Sequence, residues 1–128
     1  MRIITLLILT ILSSSNLFSQ SKISLDKTVH DFGNIDFGSS GSCEFKITNT
    51  GTSTLKILKC KASCGCTIAI CDTLPILPNF STVMKIQYDT KRVGPINKSI
   101  TIHSNDINTP HVVVRISGVV RQEPIISK

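Results

Sequence analysis

The chain of 128 residues contains no tryptophan, one tyrosine (Tyr88) and five phenylalanines. Proteins that bind single-stranded nucleic acids stack bases on aromatic side chains that lie among basic residues. This chain has positive charge, a formal +6, but its lysines are scattered and the aromatic partners are missing. We therefore predict no nucleic-acid partner and interpret the charge as solvated surface.

The motifs of common hydrolases and nucleotide-binding enzymes are also missing. The sequence has no Gly-x-Ser-x-Gly, no phosphate-binding loop and no zinc-protease motif. The three histidines, His30, His103 and His111, lie on separate segments. Asp31 follows His30 directly, an arrangement that suits a turn-capping carboxylate as well as an acid–base pair. The sequence thus predicts no enzyme, no catalytic residue and no cofactor.

Long apolar runs are absent except at the N-terminus. Met1 and Arg2 give a positive start, Ile3 to Leu12 is apolar apart from two threonines, and small polar residues follow. This pattern is typical of a secretory signal peptide, and its apolar run is about half of the roughly 20 residues that a membrane-spanning helix needs. We predict a signal peptide over residues 1–21, cleaved after Ser19 or Ser21, and no membrane span in the mature chain. The mature protein is then expected in the periplasm or outside the cell.

No helical periodicity is found in the mature chain, whereas alternation of apolar and polar residues recurs about every ten residues. Ser42 to Thr48, for example, places Cys43, Phe45 and Ile47 on one face. Similar inner faces recur over Thr82 to Tyr88, Ile96 to Ile102 and Val112 to Ile116, while Ile23 and Leu25 indicate a first edge strand and Thr67 to Ile70 a short strand. Short strands at this spacing favour a two-sheet antiparallel β-sandwich over residues 22–121, followed by a loose tail over residues 122–128.

Several connections are predicted from breakers and turn residues. Leu55 to Lys61 is predicted as a strand that leads into a cysteine-rich loop, and two prolines make the segment from Leu74 to Phe80 a loop. The pair Gly94-Pro95 is expected to break the chain. Two Phe-Gly steps, at Phe32 and Phe37, predict a bent segment in which both phenylalanines enter the core and the glycines turn the chain.

Five cysteines in an exported chain favour disulfides over free thiols. Cys43 lies on an inward strand face and is predicted to be a small buried apolar residue. The other four, Cys60, Cys64, Cys66 and Cys71, cluster and allow three pairings. A direct Cys64–Cys66 bridge would close a small, strained ring, so crossed pairs such as Cys60 with Cys66 or Cys64 with Cys71 are favoured. The connectivity stays open.

The Cys64-Gly65-Cys66 step offers a second chemistry. Gly65 is expected to turn the backbone at positive φ and bring the two sulfurs together. Cys64 and Cys66 as thiolates, joined by Cys60 or Cys71, would suit Cu(I) or Zn(II). The loop has no histidine and no repeated Cys-x-x-Cys pair, so soft-metal binding is the alternative to disulfides. Thiol–disulfide exchange is less favoured, because the pair does not open a helix whose N-terminus would stabilise a thiolate.

Four motifs occur in a fixed order along the chain: His30-Asp31-Phe32-Gly33 followed by Ile35 and Gly38, Thr48-Asn49-Thr50-Gly51, Ser63-Cys64-Gly65-Cys66-Thr67, and Ser104-Asn105. With these motifs the chain resembles, from about Ile23 to Val120, the secreted bacterial family catalogued as domain of unknown function 1573. The Cys-Gly-Cys-Thr step among the other motifs makes the resemblance specific.

This resemblance implies an immunoglobulin-like sandwich of about seven strands, distantly similar to domains of centrosome-associated proteins and of major sperm protein. It also implies export from Bacteroidetes-type bacteria and no established reaction. The motif positions expected at turns are His30, Asp31, Phe32, Gly33, Asn49, Gly51, Gly65 and Thr67. Cys43, Cys60 and Cys71 go beyond the usual cysteine pair of the family. We predict a non-enzymatic module that offers an edge strand to a protein or cell-envelope partner, with its oligomeric state open.

Overall fold

The structure is a computed structural model that describes residues 19–122 as two facing β-sheets. The strands are β1 (Ile23–Leu25), β2 (Val29–Asp36), β3 (Ser42–Asn49), β4 (Ile57–Ala62), β5 (Thr67–Ile70), β6 (Ser81–Tyr88), β7 (Gly94–Ser104) and β8 (His111–Arg121). The first sheet has the order β1-β3-β6-β5 and the second has the order β2-β8-β7-β4. The predicted leader falls mainly on residues 1–18 and the predicted tail on residues 123–128, outside the described residues.

Alternation along the strands builds the core between the sheets. On β3, Cys43, Phe45 and Ile47 are buried while the residues between them face outward. The matching inner rows are Met84, Ile86 and Tyr88 on β6, Ile96, Ile100 and Ile102 on β7, and Val114 and Ile116 on β8. These assignments confirm the predicted inner faces. Isoleucine dominates the core because its β-branched side chain packs well on a pleated surface.

The immunoglobulin-like sandwich is confirmed, with two corrections to the predicted strand set. The described chain has eight strands rather than about seven, because its first segment contributes β1 to one sheet and β2 to the other. The sheets are not wholly antiparallel, because β2 runs parallel to β8. A parallel pair is possible here because five other strands separate β2 from β8 in the chain, which supplies the long connection that parallel strands need.

The segment with two Phe-Gly steps differs from its prediction. It is a strand, β2, with a register shift between Asp31 and Asn34. Gly33 supplies the irregularity with φ of 65°. Phe32 packs against the core, but Phe37 lies beyond the end of the strand with 38% of its surface exposed. Only one of the two phenylalanines therefore enters the core.

Gly94-Pro95 does not break the chain but begins β7. Pro95 pairs with Val119 near the end of the long β7–β8 hairpin. A proline near the first residue of a strand costs little, because few ladder bonds need its missing N–H. Leu55, predicted to lie in a strand, instead makes an isolated bridge to Ile76 in the loop before β6. No helix among the described residues has the length and apolarity that a bilayer span requires.

Candidate functional site

The cysteine loop, Cys60 to Cys71, joins the edges of the two sheets. It leaves β4, the last strand of one sheet, and returns as β5, the last strand of the other. The N–H of Ser63 donates to the carbonyl of Ser99 on β7 (2.9 Å), and the Ser63 hydroxyl accepts from the Ser99 N–H (3.1 Å). On the return, the N–H of Asp89 donates to the Cys66 carbonyl (2.9 Å). Both ends of the loop are therefore fixed to the sandwich.

Two disulfides lie within this loop. One joins Cys60 to Cys71, whose Cα atoms are 6.3 Å apart, and the other joins Cys64 to Cys66, with Cα atoms 5.3 Å apart. The crossed pairs that the sequence favoured are not formed. Cys60 sits near the end of β4 and Cys71 directly follows β5, so the return of the chain brings these two together and leaves the inner two for each other.

The sulfurs of the inner pair lie near hydrogen-bond donors. The N–H of Cys66 donates to Cys64 Sγ at 3.2 Å. The hydroxyl of Thr67 lies 3.7 Å from Cys66 Sγ and 4.0 Å from Cys64 Sγ. Cys64 is half-buried, whereas Cys66 and Thr67 are buried. Thr67, a motif position, therefore lies under the sulfurs as the first residue of β5, and not at a turn.

The prediction that Gly65 turns the backbone at positive φ is wrong. Gly65 is not among the glycines with positive φ, and a Cβ atom built on it would meet no atom within 4 Å. Its exposed backbone lines a cleft of about 470 Å³ together with Cys66, Tyr88 and Lys91. The structure therefore shows no steric requirement for glycine at this position beside the cleft.

Cys43 is the one unpaired cysteine of the described chain, and it lies apart from the loop sequence on β3. Its side chain is buried opposite Ile86. Burial raises the pKa of its thiol; the nearby Lys27 charge lowers that pKa and Glu44 raises it further. A buried thiol with a raised pKa is poorly reactive, and the burial itself agrees with the prediction for this strand position.

The His30-Asp31-Phe32-Gly33 motif builds the irregularity in β2. Asp31 Oδ1 accepts from the Gly33 N–H at 2.8 Å, and the rings of His30 and Phe32 meet edge to face at 4.7 Å. Lys27 Nζ lies 3.0 Å from His30 Nδ1. Burial and then the Lys27 charge lower the pKa of His30, against the opposing effect of Asp31. Asp31 thus serves as the turn-capping carboxylate and not as half of an acid–base pair.

Asn49 and Gly51 are structural as well. The fully buried Asn49 side chain donates to the carbonyls of Ser53 (2.8 Å) and Ile76 (2.9 Å), and its Oδ1 accepts from the Gly51 N–H (2.9 Å). Gly51 is not among the glycines with positive φ. A Cβ there would instead overlap the carbonyl oxygen of Gln20, so the glycine permits a close approach of two backbone segments.

Asp106 is a buried charged residue that the sequence analysis missed. It is 2% exposed and accepts from the N–H groups of Ile23 (3.0 Å), Asn108 (2.9 Å) and Thr109 (3.1 Å). Burial alone would raise the pKa of Asp106, but these backbone donors and the charge of Lys22 hold it below its usual value. Its place two residues after Ser104 in a turn-rich segment was the only available signal.

Two of the three histidines, which are separate in the sequence, come together in the fold. His103 and His111 face each other across β7 and β8, with ring centroids 4.5 Å apart, and Lys59 pairs with His103 from β4. Desolvation lowers the pKa of His103, and His111 and two lysines lower it further. Among residues 19–122, no group of three or more His, Cys, Asp or Glu side chains is placed to hold a metal ion. The thiolates that the soft-metal alternative needs are joined in disulfides here.

The outer edge of β5, next to the inner disulfide, has unpaired backbone groups. Because the N–H of Asp89 bonds to the Cys66 carbonyl, and bonded and non-bonded pairs alternate along an antiparallel ladder, Ile68 and Ile70 bond to β6. Ala69 then directs its N–H and C=O away from β6. The side chains of Ile68 and Ile70 are 58% and 61% exposed. This strand therefore combines free backbone groups with apolar side chains.

Comparisons with known proteins agree on the fold. A Porphyromonas gingivalis W83 protein of unknown function superposes with a TM-score of 0.72 at 22% identity, over 84% of this chain and 51% of that one. The PapD-like domain 7 of human CEP192 gives 0.67 at 11% identity, over 88% and 99%. The periplasmic chaperone SfaE gives 0.56 at 9% identity, over 84% and 60%. The chain spans about half the length of the Porphyromonas protein.

No curated protein sequence matches the chain. A family model described as "Protein of unknown function (DUF1573)" matches residues 23–120, the stretch from β1 almost to the end of β8. The matched span contains the β2 irregularity, the buried Asn49, the cysteine loop and both edge strands that it connects. The chain belongs to the DUF1573 family of proteins of unknown function.

Proposed function

We propose that this protein is an exported, non-enzymatic binding module that pairs an extended segment of a partner protein with the free edge of β5. The observation that carries the proposal is the unpaired backbone of a strand whose outward side chains, Ile68 and Ile70, are both apolar and more than half exposed. Strand addition to such an edge gains backbone hydrogen bonds, and alternate side chains of the added segment find apolar contacts.

The other sheet edges are less suited to this role. β1 has only three residues. β2 has an irregularity between Asp31 and Asn34, and β4 has one between Ile57 and Lys59. Exposed lysines, Lys59 and Lys61, also lie along β4. Bulges, very short strands and lysines are the means by which proteins protect edges from pairing, and β5, with four residues, no register shift and no lysine, is the least protected of the four edges.

The loop between β5 and β6 exposes a second group of apolar side chains. Leu74, Leu77 and Phe80 are 68%, 55% and 64% exposed, and they line a groove of about 260 Å³. Together with Ile68 and Ile70 they form what we term the β5 surface. Exposed apolar side chains that are grouped in this way mark interaction sites more often than scattered ones do. We infer an extended partner segment with apolar side chains at alternate positions.

Export is supported by the leader pattern and by the disulfides. Disulfides persist in the periplasm and outside the cell, and are rare in reducing compartments. The similarity to a periplasmic chaperone, a protein of the same sandwich fold, is compatible with this location. Soft-metal binding stays a prediction, without a structural observation in its favour.

The proposal is tested with the mature domain as bait in envelope extract, with captured proteins quantified by mass spectrometry. Ala69→Pro removes the outward N–H while leaving the β5–β6 bonds in place, and Ile70→Asp places a charge on the apolar face. Ile107→Asp is the matched control, because Ile107 is 77% exposed and lies outside the β5 surface.

We expect at least one protein that wild type and Ile107→Asp capture equally and that both β5 variants lose by more than about tenfold, or roughly 1.4 kcal/mol of binding free energy. Melting temperatures of the variants establish that each is folded. Capture that is identical for all four proteins, or no specific capture by wild type, would contradict binding through β5.

A further inference from the structure

We propose that the Cys64–Cys66 disulfide is redox-active and exchanges with cysteine thiols, while Cys60–Cys71 stays closed and holds the loop. The inference goes beyond the proposed binding function and does not depend on a strand docking on β5. It rests on ring size, on hydrogen-bond donors near the sulfurs, on access, and on the second disulfide.

Ring size separates the two bridges. The cysteines of the inner pair are two positions apart in sequence, and those of the outer pair are eleven apart. A cross-link between distant residues removes more entropy from the unfolded chain, so the outer bridge stabilises the fold more than the inner one. A bridge across a single residue closes a small, strained ring, and strained or exposed bridges are the labile and regulatory disulfides.

Donors around the inner pair stabilise each sulfur as it leaves. A thiolate released at Cys64 keeps the Cys66 N–H, now 3.2 Å from its Sγ. A thiolate released at Cys66 has the Thr67 hydroxyl, now 3.7 Å away. Hydrogen bonds to the charged form lower a thiol pKa, and a lower pKa makes a better leaving group. These donors replace the helix N-terminus whose absence disfavoured this chemistry in the sequence.

The cysteines differ in how exposed they are to an incoming thiol. Cys64 is half-buried, and Cys66 is buried beside the 470 Å³ cleft that Gly65 and Lys91 also line. Cys64 is the more exposed residue of the pair, so we assign its sulfur as the one that an incoming thiolate attacks first. The buried thiol of Cys43 is protected from competing in the exchange. Cys60 and Cys71 fix the ends of the loop while the inner pair is open.

The exchange has two steps. A thiolate R–S⁻ attacks Cys64 Sγ, the Cys64–Cys66 bond breaks, and Cys66 leaves as the thiolate while R–S–S–Cys64 forms. A second thiolate attacks the sulfur of R, releases Cys64, and yields R–S–S–R. Two thiols lose two electrons and two protons, and the protein gains both as two cysteine thiols. The reverse reaction oxidises the protein with a disulfide of the same class.

Glutathione is the probe for a redox titration. Wild-type protein is equilibrated in graded glutathione buffers, quenched in acid, alkylated and mapped by mass spectrometry. We expect Cys64 and Cys66 to become alkylated together at a thiol concentration at least about tenfold below that which opens Cys60–Cys71, because the small ring of the inner bridge is strained. Opening of both bridges together, opening of the outer one first, or a different native pairing would overturn the proposal.

Trapping of the mixed disulfide tests the order of attack. Oxidised glutathione is offered to Cys66→Ser and, as the matched control, to Cys64→Ser. Cys66→Ser is expected to form the glutathione adduct at Cys64 several-fold faster than Cys64→Ser forms it at the buried Cys66. Equal rates, or an adduct on Cys43, would refute the assigned entry.

The role of the hydroxyl is tested by Thr67→Val with Thr67→Ser as rescue. In the otherwise wild-type chain, reduction by glutathione is expected to be slowed roughly threefold or more by valine, about the effect of one weak hydrogen bond, and restored by serine. Rates that are the same in all three proteins would exclude stabilisation by this hydroxyl. Thermal unfolding separates such a result from loss of the fold.

Discussion

At the scale of single residues, Asp106 shows how one buried side chain joins distant parts of the chain. Its carboxylate takes three backbone N–H bonds, one from β1 and two from the turn between β7 and β8. Burial of a charge is costly unless hydrogen bonds replace the lost water, and these bonds do so. Asp106 therefore has a structural role, because it holds β1 against the turn between β7 and β8.

We expect Asp106→Asn to lower the free energy of unfolding by roughly 1–3 kcal/mol, because the amide cannot accept on both sides and one buried N–H loses its partner. Asp72→Asn is the control, since the exposed Asp72 also accepts a backbone N–H, from Leu74 at 2.9 Å. The control should change stability by less than about 0.5 kcal/mol. Urea unfolding at neutral pH measures both, and equal losses would contradict the role of burial.

The depressed pKa of Asp106 also predicts acid sensitivity. A carboxylate with a lower pKa in the folded state contributes stability that is fully present above its unfolded value and is lost as pH falls through the folded value. The usual value is 3.8. The stability difference between wild type and Asp106→Asn should thus shrink below about pH 4. Urea titrations from pH 7 to pH 2.5 measure it, and a difference independent of pH would be contrary evidence.

Substitution by alanine should change the free energy of unfolding by very different amounts at two glycines of the motifs. Gly51→Ala places a Cβ against the Gln20 carbonyl and the Lys22 N–H, so we expect a loss of roughly 1–3 kcal/mol from overpacking. Gly65→Ala meets no atom within 4 Å and should stay within about 0.5 kcal/mol. Thermal and urea unfolding measure both. A large loss at Gly65 would mean that its backbone is strained after all.

At the scale of elements, the hydrogen bonds of the first described residues favour one of the two predicted cleavage sites. The Gln20 carbonyl accepts from the N–H groups of Thr52 (2.8 Å) and Ser53 (3.2 Å). The Ser21 hydroxyl donates to Asn105 Oδ1 at 3.2 Å, and Ser21 is buried. Cleavage after Ser21 would remove these bonds, whereas cleavage after Ser19 keeps them.

We therefore expect N-terminal sequencing of exported protein to begin at Gln20. A purified chain that begins at Lys22 should be less stable than one that begins at Gln20 by roughly 1–3 kcal/mol, from the loss of several hydrogen bonds. A chain that begins at Ser19 is the control and should match Gln20. Mature protein that begins at Lys22 with undiminished stability would reverse this conclusion.

Alternation predicted the elements whose own residues alternate regularly between the core and the surface. β3, β6, β7 and β8 have one buried and one exposed face, and a period of two residues reports this directly. β2 was not predicted as a strand, because its register shift at Gly33 interrupts the period of two and its parallel partner lies far along the sequence. The element was present in the pattern only as two Phe-Gly steps.

The candidate site was predictable only in part, for a related reason. The clustering of cysteines located the loop, but pairing depends on how β4 and β5 meet at the edges of two different sheets. The approach of His103 to His111 likewise depends on the register of a hairpin. Sequence distance reports neither arrangement, whereas burial of Cys43 followed from its place on a single strand.

At the scale of the whole molecule, the Cys60–Cys71 bridge is the covalent link between the two sheets at their β4 and β5 edges. Its eleven-residue separation predicts a stabilisation of about 2–3 kcal/mol from loop entropy, against about 1 kcal/mol for the two-residue separation of Cys64–Cys66. A domain of this size has a margin of roughly 5–15 kcal/mol, so the outer bridge is a substantial part of it.

Replacing both outer cysteines by serine should accordingly lower the melting temperature by roughly 8–20 °C, whereas replacing both inner cysteines should lower it by no more than about 8 °C. Circular dichroism on heating, without reductant, measures the two double variants beside wild type. A larger decrease for the inner double variant would contradict the assignment of the outer bridge as the more stabilising disulfide. With the expected order, the outer disulfide maintains the sandwich, and the inner one is free to open without unfolding the domain.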